Sequence, residues 1–384
     1  MAGRRIRIGV AGLGAAGQAF VPALKRHEGF VWVAAAEPAA AVRASVQSEH
    51  GIDAYASLAE MLARGGLDAL IVATPTALHA EQAIEAAAAG LHVLVEKPMA
   101  TQLDDARAMI GAAARAGVVL QVGHSHSYDA PIAHMRQLIR SGELGAVRMV
   151  NTWCFSDWMQ RPRRADELDS AQGGGVTFRQ GAHQFDILRL LCGGSARSVR
   201  AKTFDWDPRR RAIGAHIAFV DFDNGAAATA VYNGYGGLSS MDLCFDISEW
   251  GLHVPPHERV HQHIADAPMD SEQALQAKQA RARTAIADRA PFQPFFGLTV
   301  VSCERGDVRQ SPNGLLVHGA DGSRREISLV HERGPRDRVL DEFHAAIEGR
   351  VPALHDGAWG LATLELCVAA IDSAARGCET FLDE

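Results

Sequence analysis

The sequence predicts two folded parts, an N-terminal α/β domain on a doubly wound parallel sheet and a C-terminal α+β domain with a large, mainly antiparallel sheet. Three observations carry this. At 384 residues the chain is too long for one ordinary core. Up to about residue 122, short β-branched runs alternate with longer alanine-rich stretches, as parallel strands joined by crossover helices require. After about residue 145 the pattern changes to successive alternating strands. The domains are placed at 1–123 and 124–384, with the C-terminal helices free to pack back on the first.

In the first part, strands are expected at 6–10, 31–35, 69–73, 92–95 and 118–122. Helices are expected at 17–26, 77–89 and 104–116, the last two followed by Gly90 and Gly117, which suit a left-handed cap. In the second part, strands are expected at 197–205, 215–223 and 226–232, with Asp223-Asn224-Gly225 as a hairpin turn. Residues 250–294, rich in His, Ala, Gln and Arg, interrupt the strand pattern and read as a helical excursion or surface loop. Helices return at 336–348 and 359–375, the second stopped by Gly377.

Composition narrows the function classes. With 47% hydrophobic and 22% charged residues the chain reads as globular, and no apolar stretch is expected to reach the length that crosses a bilayer. A net charge of -7 would repel a polyphosphate backbone, so nucleic acid is not an expected partner, and without an apolar span neither is a membrane. Six scattered cysteines, none in CxxC spacing, fit a reducing cytoplasm. Arg4-Arg5 before an apolar run imitates an export signal, but Gly9, Gly12 and Gly14 break that run, which reads as a strand and turn.

Gly12-Leu13-Gly14-Ala15-Ala16-Gly17 has GxGxxG spacing directly after the first strand and at the start of a helix, where amide groups can hold a pyrophosphate. Glu37 ends the second strand twenty residues after Gly17, where an acidic side chain accepts hydrogen bonds from an adenosine ribose. Together they predict a Rossmann domain that binds a dinucleotide. Glu37 repels a 2′-phosphate, so NAD is expected over NADP, although Arg43 lies close in sequence.

Ala73-Thr74-Pro75 with His79, Glu96-Lys97-Pro98 after a strand, Ser141-Gly142-Glu143-Leu144-Gly145, and Gly173-Gly174-Gly175 followed by Gly181-Ala182-His183 and Asp186 resemble the glucose-fructose oxidoreductase, inositol dehydrogenase and MocA family. The resemblance runs from Ile8 to Gly377 and is weakest over 250–294. It implies that Thr74, Pro75, His79, Glu96 and Lys97 join the glycine turn in holding the cofactor, and that Lys97 and His183 are catalytic. Lys97 would set a cation beside the substrate hydroxyl. His183 would take the hydroxyl proton as hydride leaves the same carbon. It also implies a candidate cis bond at Lys97-Pro98, and a homodimer or homotetramer paired through the exposed face of the C-terminal sheet. Asp186, one helical turn past His183, either orients the imidazole or pairs locally.

Departures from the family point to the substrate. Arg179 stands where the family commonly has an aspartate, and a guanidinium suits a carboxylate better than a polyol. Arg161, Arg163 and Arg164 either close over the same anion or form a solvated basic loop. His124 and His126 can hydrogen-bond a ring diol or join His183 around a metal; without a nearby carboxylate or cysteine ligand, no metal is expected. Residues 124–131, 161–169 and 172–175, with Ser302-Cys303-Glu304, resemble the phthalate cis-4,5-dihydrodiol dehydrogenase branch. The expected substrate-binding residues are Lys97, His124, Arg163, Arg164, Arg179 and His183, and the expected partner is a carboxylated small molecule. Alternatives are a dehydrogenase of a sugar, anhydrosugar or inositol, a glycosidase in which bound NAD cycles without net consumption, and a non-catalytic NAD sensor.

Overall fold

The computed structural model describes residues 4–259, 290–330 and 334–382, which fall into two compact units: Met1–His124 with Arg336–Leu364, and Ser125–Pro335 with Glu365–Glu384.

The first unit is a six-stranded parallel sheet of β1 (Ile6–Ala11), β2 (Phe30–Ala36), β3 (Asp53–Tyr55), β4 (Ala69–Val72), β5 (His92–Glu96) and β6 (Leu120–Gly123), in the order β3-β2-β1-β4-β5-β6. Strands covered by helices on both faces must be apolar throughout, and Ile8, Val10, Leu70, Ile71, Val93 and Leu94 are fully buried. The order reverses at β1, and a ligand crevice forms outside the carboxyl ends of the strands at such a switch point. Gly51 and Gly117 close their helices in the left-handed region, at φ 65° and 67°. The helix Pro335–Ile347 belongs to this unit from Arg336 on: Arg26 pairs with Asp337 at 2.9 Å, Phe343 stacks on Phe30, and the Gln121 amide donates to Val339 O at 3.1 Å.

The second unit is built on a nine-stranded sheet of described residues. Its strands are β7 (Val147–Phe155), β8 (Ala196–Phe204), β9 (Ala215–Phe222), β10 (Ala227–Asn233), β11 (Leu298–Cys303), β12 (Gly306–Ser311), β13 (Gly314–Gly319), β14 (Arg324–Ser328) and β15 (Thr380–Phe381). The order is β14-β13-β12-β11-β7-β10-β9-β8-β15, antiparallel except for the central pair β7 and β10. Gly225, at φ 81°, turns the β9–β10 hairpin that Asp223-Asn224-Gly225 predicts. The buried helix Gly181–Cys192 packs on β7 and β10. On β7 and β9, Met149, Ile217 and Phe219 stay about half exposed.

One expectation needs amendment, and another lies mostly outside the described residues. The helix Gly357–Arg376 is, by length and composition, apolar enough to cross a bilayer, contrary to the reading that no stretch is. It is a core helix: Leu364, Leu366, Cys367, Ala369 and Ala370 are buried, and the Ser373 hydroxyl accepts from Ala201 N at 2.9 Å. The helical excursion expected over 250–294 falls mostly outside the described residues; at its start Ile247 and His253 form an isolated bridge.

Candidate active site

In the first unit, β1 runs into Gly12, whose φ of +84° puts a Cβ 2.8 Å from Ala73 O, so only glycine fits. Gly14 differs. Its φ of -66° suits any residue, and beyond its own turn of chain a Cβ there would meet no atom of the described residues within 4 Å. It opens the helix Ala15–Arg26, so the space left beside the helix amides fits a pyrophosphate brought close to the backbone.

Glu37 follows β2 and accepts from Leu13 N at 2.9 Å through one oxygen and from Ala39 N at 3.0 Å through the other. The carboxylate therefore ties the glycine turn to the end of β2, with lone pairs left for ribose hydroxyls. Arg43 donates to the carbonyls of Glu37 and Pro38 at 2.7 Å each, which engages the cation that tempered the expectation of NAD. Gln18, which the motif did not single out, holds Leu13 O at 2.9 Å.

Beyond β4, Thr74 Oγ1 donates to Gln82 Oε1 at 2.7 Å, and Pro75 leads into the short 3-10 turn Thr76–Leu78. His79 is buried with Nδ1 2.9 Å from Pro98 O and Nε2 2.9 Å from Thr74 O, so it joins the ends of β4 and β5. Glu96 accepts from the Lys97 amide at 3.1 Å and from Arg336 at 3.3 Å. Lys97 is half-buried, and its bond to Pro98 is cis, as the resemblance implies. His124, also in this unit, is buried with its ring 6.1 Å from that of His355.

The second unit carries His183 on the helix Gly181–Cys192. Gln184 fixes that helix to the sheet, donating to Thr152 Oγ1 at 3.1 Å and Val231 O at 3.0 Å, while its carbonyl meets His216 Nε2 at 3.0 Å. His216 also meets Thr177, and burial pushes its pKa down to about 3, so it is a neutral hydrogen-bonding residue. His183 itself is buried, its ring 4.5 Å from His126 and 5.1 Å from Phe296.

His126 is the residue that sequence reasoning undervalued, having set His124 ahead of it. Its Nδ1 meets Asp129 at 3.0 Å, its Nε2 meets Glu249 at 3.2 Å, and its ring stacks on Phe296. Burial pulls its pKa down, but the two carboxylates outweigh burial and push it up to about 9. His126 is thus an imidazolium at neutral pH. Asp129, three residues on, was a readable signal; Glu249 comes from a distant segment. Asp186 is fully buried on the same helix as His183.

The arginines are distributed unequally. Arg163 lies 3.9 Å over the Trp158 ring, donates to Trp158 O, and meets Glu167 at 3.3 Å. Burial lowers its pKa to about 10 despite Glu167. Arg164 and Arg179 share Asp166, at 2.8 and 3.3 Å. Arg161 pairs with Asp157 at 2.7 Å. The carboxylate partners show a structured basic segment, and Asp166 already engages the Arg179 fork that sequence reasoning offered to a substrate.

Comparison with known proteins identifies the family. Residues 6–124 match the family described as an oxidoreductase family with an NAD-binding Rossmann fold, and residues 132–239 match the GFO/IDH/MocA C-terminal domain. The chain is 35% identical to the 1-carboxy-3-chloro-3,4-dihydroxycyclohexa-1,5-diene dehydrogenase of Comamonas testosteroni, over 96% of this chain and 94% of that one. The crystal structure of a Bordetella bronchiseptica RB50 protein superposes with a TM-score of 0.91 at 36% identity, covering 99% of this chain and 100% of that one. The WlbA dehydrogenase of Bordetella pertussis, crystallised with NADH and UDP-GlcNAcA, shares the fold with a TM-score of 0.71 at 24% identity, covering 99% and 100%. The chain belongs to the Gfo/Idh/MocA family and is an NAD-dependent oxidoreductase, with an NAD-binding Rossmann fold over residues 6–124.

Proposed function

We propose that this oxidoreductase oxidises a ring hydroxyl of an anionic cyclic cis-diol, with 4,5-dihydro-4,5-dihydroxyphthalate, oxidised to 4,5-dihydroxyphthalate, as the first substrate to test. The observation that carries this reading is the near full-length similarity to an enzyme named for a carboxylated dihydroxycyclohexadiene. When bound, NAD supplies the ring that accepts the hydride. His183 takes the proton of the reacting hydroxyl, and the Lys97 ammonium stabilises the oxygen as negative charge develops on it. The products are a ketone, one hydride delivered and one proton on His183; tautomerisation of the ketone gives the aromatic catechol and drives the reaction forward.

Glu37 favours NAD because a 2′-phosphate would face its carboxylate. The half-exposed Met149, Ile217 and Phe219 support pairing of two copies through the sheet of the second unit.

The test is a panel of the phthalate dihydrodiol, neutral cis-dihydrodiols, inositols and anhydrosugars with NAD, read as NADH absorbance. Oxidation of the carboxylated dihydrodiol with the highest kcat/KM is expected. Preference for an inositol or anhydrosugar would replace the proposal with the sugar reading. Glycoside cleavage without net NADH would indicate the hydrolase.

A further inference from the structure

Resting on the anionic substrate proposed above, the choice of cation can be taken further. A carboxylate is held best by a guanidinium that offers its two terminal amino groups side by side. Arg163 is committed to Glu167, Trp158 O and the Trp158 ring, and Arg179 engages Asp166. Arg161 is anchored differently. Its Nε donates to Asp157 Oδ1 at 2.7 Å, and among the described residues Nη1 and Nη2 make no hydrogen bond. The side chain is 23% exposed.

Its surroundings connect it to His183. The charges of Asp157 and Glu249 both act on Arg161, as does the buried Tyr232, whose hydroxyl pairs with Ser156 at 2.8 Å. Burial works against the guanidinium charge, but Asp157 and then Glu249 more than offset it, so Arg161 stays charged. Glu249 also bonds His126, whose ring abuts His183. We propose that Arg161, anchored through Nε by Asp157, binds the substrate carboxylate through Nη1 and Nη2 in the neighbourhood of His183, and that Arg163 and Arg179 shape the segment instead.

Equilibrium binding of phthalate, which carries the carboxylates but no hydroxyl to oxidise, tests this on the full chain saturated with NAD. Arg161→Gln should weaken phthalate on the order of 100-fold, as expected when charged hydrogen bonds are lost. Arg161→Lys, which keeps the charge without the fork, should fall between the two, and Arg148→Gln, at an exposed pair with Glu304, should bind like the parent. Because Arg161→Gln takes the guanidinium from Asp157, the double change Arg161→Gln with Asp157→Asn guards against misfolding, checked by circular dichroism, and should bind as weakly. In turnover, KM for an anionic diol should rise while KM for a neutral diol stays within about twofold. Equal phthalate affinity in the parent and the folded double variant would overturn the assignment, as would no phthalate binding by the parent. Loss of phthalate binding in a chain that oxidises no diol would keep the Arg161 site and sink the dehydrogenase proposal alone.

Discussion

His126 stands edge to face against His183, with ring centroids 4.5 Å apart and planes at 77°, and each nitrogen of His126 meets a carboxylate. A buried imidazolium so clamped couples stability to pH. Its folded pKa of about 9 lies above the ordinary 6.5, so the stabilisation is complete below pH 6.5 and is lost as pH rises toward 9. Unfolding free energy should therefore fall across that window by up to about 1.4 kcal/mol per pH unit. Asp129→Asn should flatten the slope, because it removes the nearer carboxylate. Urea melts at half-unit pH intervals measure this; a parent protein equally stable at pH 7 and pH 9 would contradict the charged ring.

His216 predicts the opposite limb. Its folded pKa of about 3 is below 6.5, so the unfolded chain binds the proton first as acid is added. Stability from burying the neutral ring is present above pH 6.5 and lost as pH falls toward 3. His216→Gln removes the titration and should reduce the acid-side slope between pH 6.5 and 4, in the same urea melts. An unchanged slope would mean that other groups govern acid unfolding.

What was legible in the sequence depended on how local its cause was. The strands of the first unit were readable because burial on both faces makes them continuous apolar runs, and the expected 69–73 and 92–95 lie within a residue of β4 and β5. The three-residue β3 has too few residues to show a period, and the β11–β14 meander alternates only weakly. In the site, the glycine turn and Glu37 were readable because strand, turn and acidic residue follow a fixed spacing. Glu249 beside His126 and Asp166 beside Arg179 were not, because both reach their partners through the fold. Arg336, which meets Glu96, is 240 residues away in the chain.

The glycine turn separates folding from binding. Gly12→Ala places a Cβ 2.8 Å from Ala73 O at a φ of +84°, and should cost about 1–3 kcal/mol of stability together with cofactor affinity. Gly14→Ala meets no neighbouring atom among the described residues and should leave Tm within a degree or two, yet weaken NADH at least tenfold. Thermal melts without cofactor and NADH fluorescence titrations give the two readouts. Unaltered NADH affinity in Gly14→Ala would show that the open space beside the helix is not the pyrophosphate site.

Glu37 makes a prediction about cofactor choice. The parent should bind NADH much more tightly than NADPH. Glu37→Ser removes the repulsion and also the bonds to Leu13 N and Ala39 N, so NADH should weaken by about 10-fold while NADPH improves or holds. Titrating both cofactors against both proteins yields the selectivity ratio. A parent that already prefers NADPH would mean that Arg43 leaves the carbonyls of Glu37 and Pro38 for the 2′-phosphate.

The exposed side of the second sheet leads to the last prediction. Register sets Ile217 opposite Val231 and Phe219 opposite Thr229, while Val231 and Thr229 pair with Trp153 and Asn151 on β7. Side chains of alternate residues share a face, so Ile217 and Phe219 project together from β9, and Thr229 donates to Asn151 at 2.6 Å in the same row. A face this apolar gains about 25 cal/mol for each square ångström it removes from water, which favours a second copy with the same surface. The parent should sediment as an oligomer, and Phe219→Arg with Ile217→Lys as a monomer, in sedimentation velocity. Tm measured on the dissociated protein at low concentration should change little, because neither side chain is buried within the chain. A parent protein that sediments as a monomer at micromolar concentration would leave this face without a partner copy, and the exposed Phe219 and Ile217 would then need another explanation.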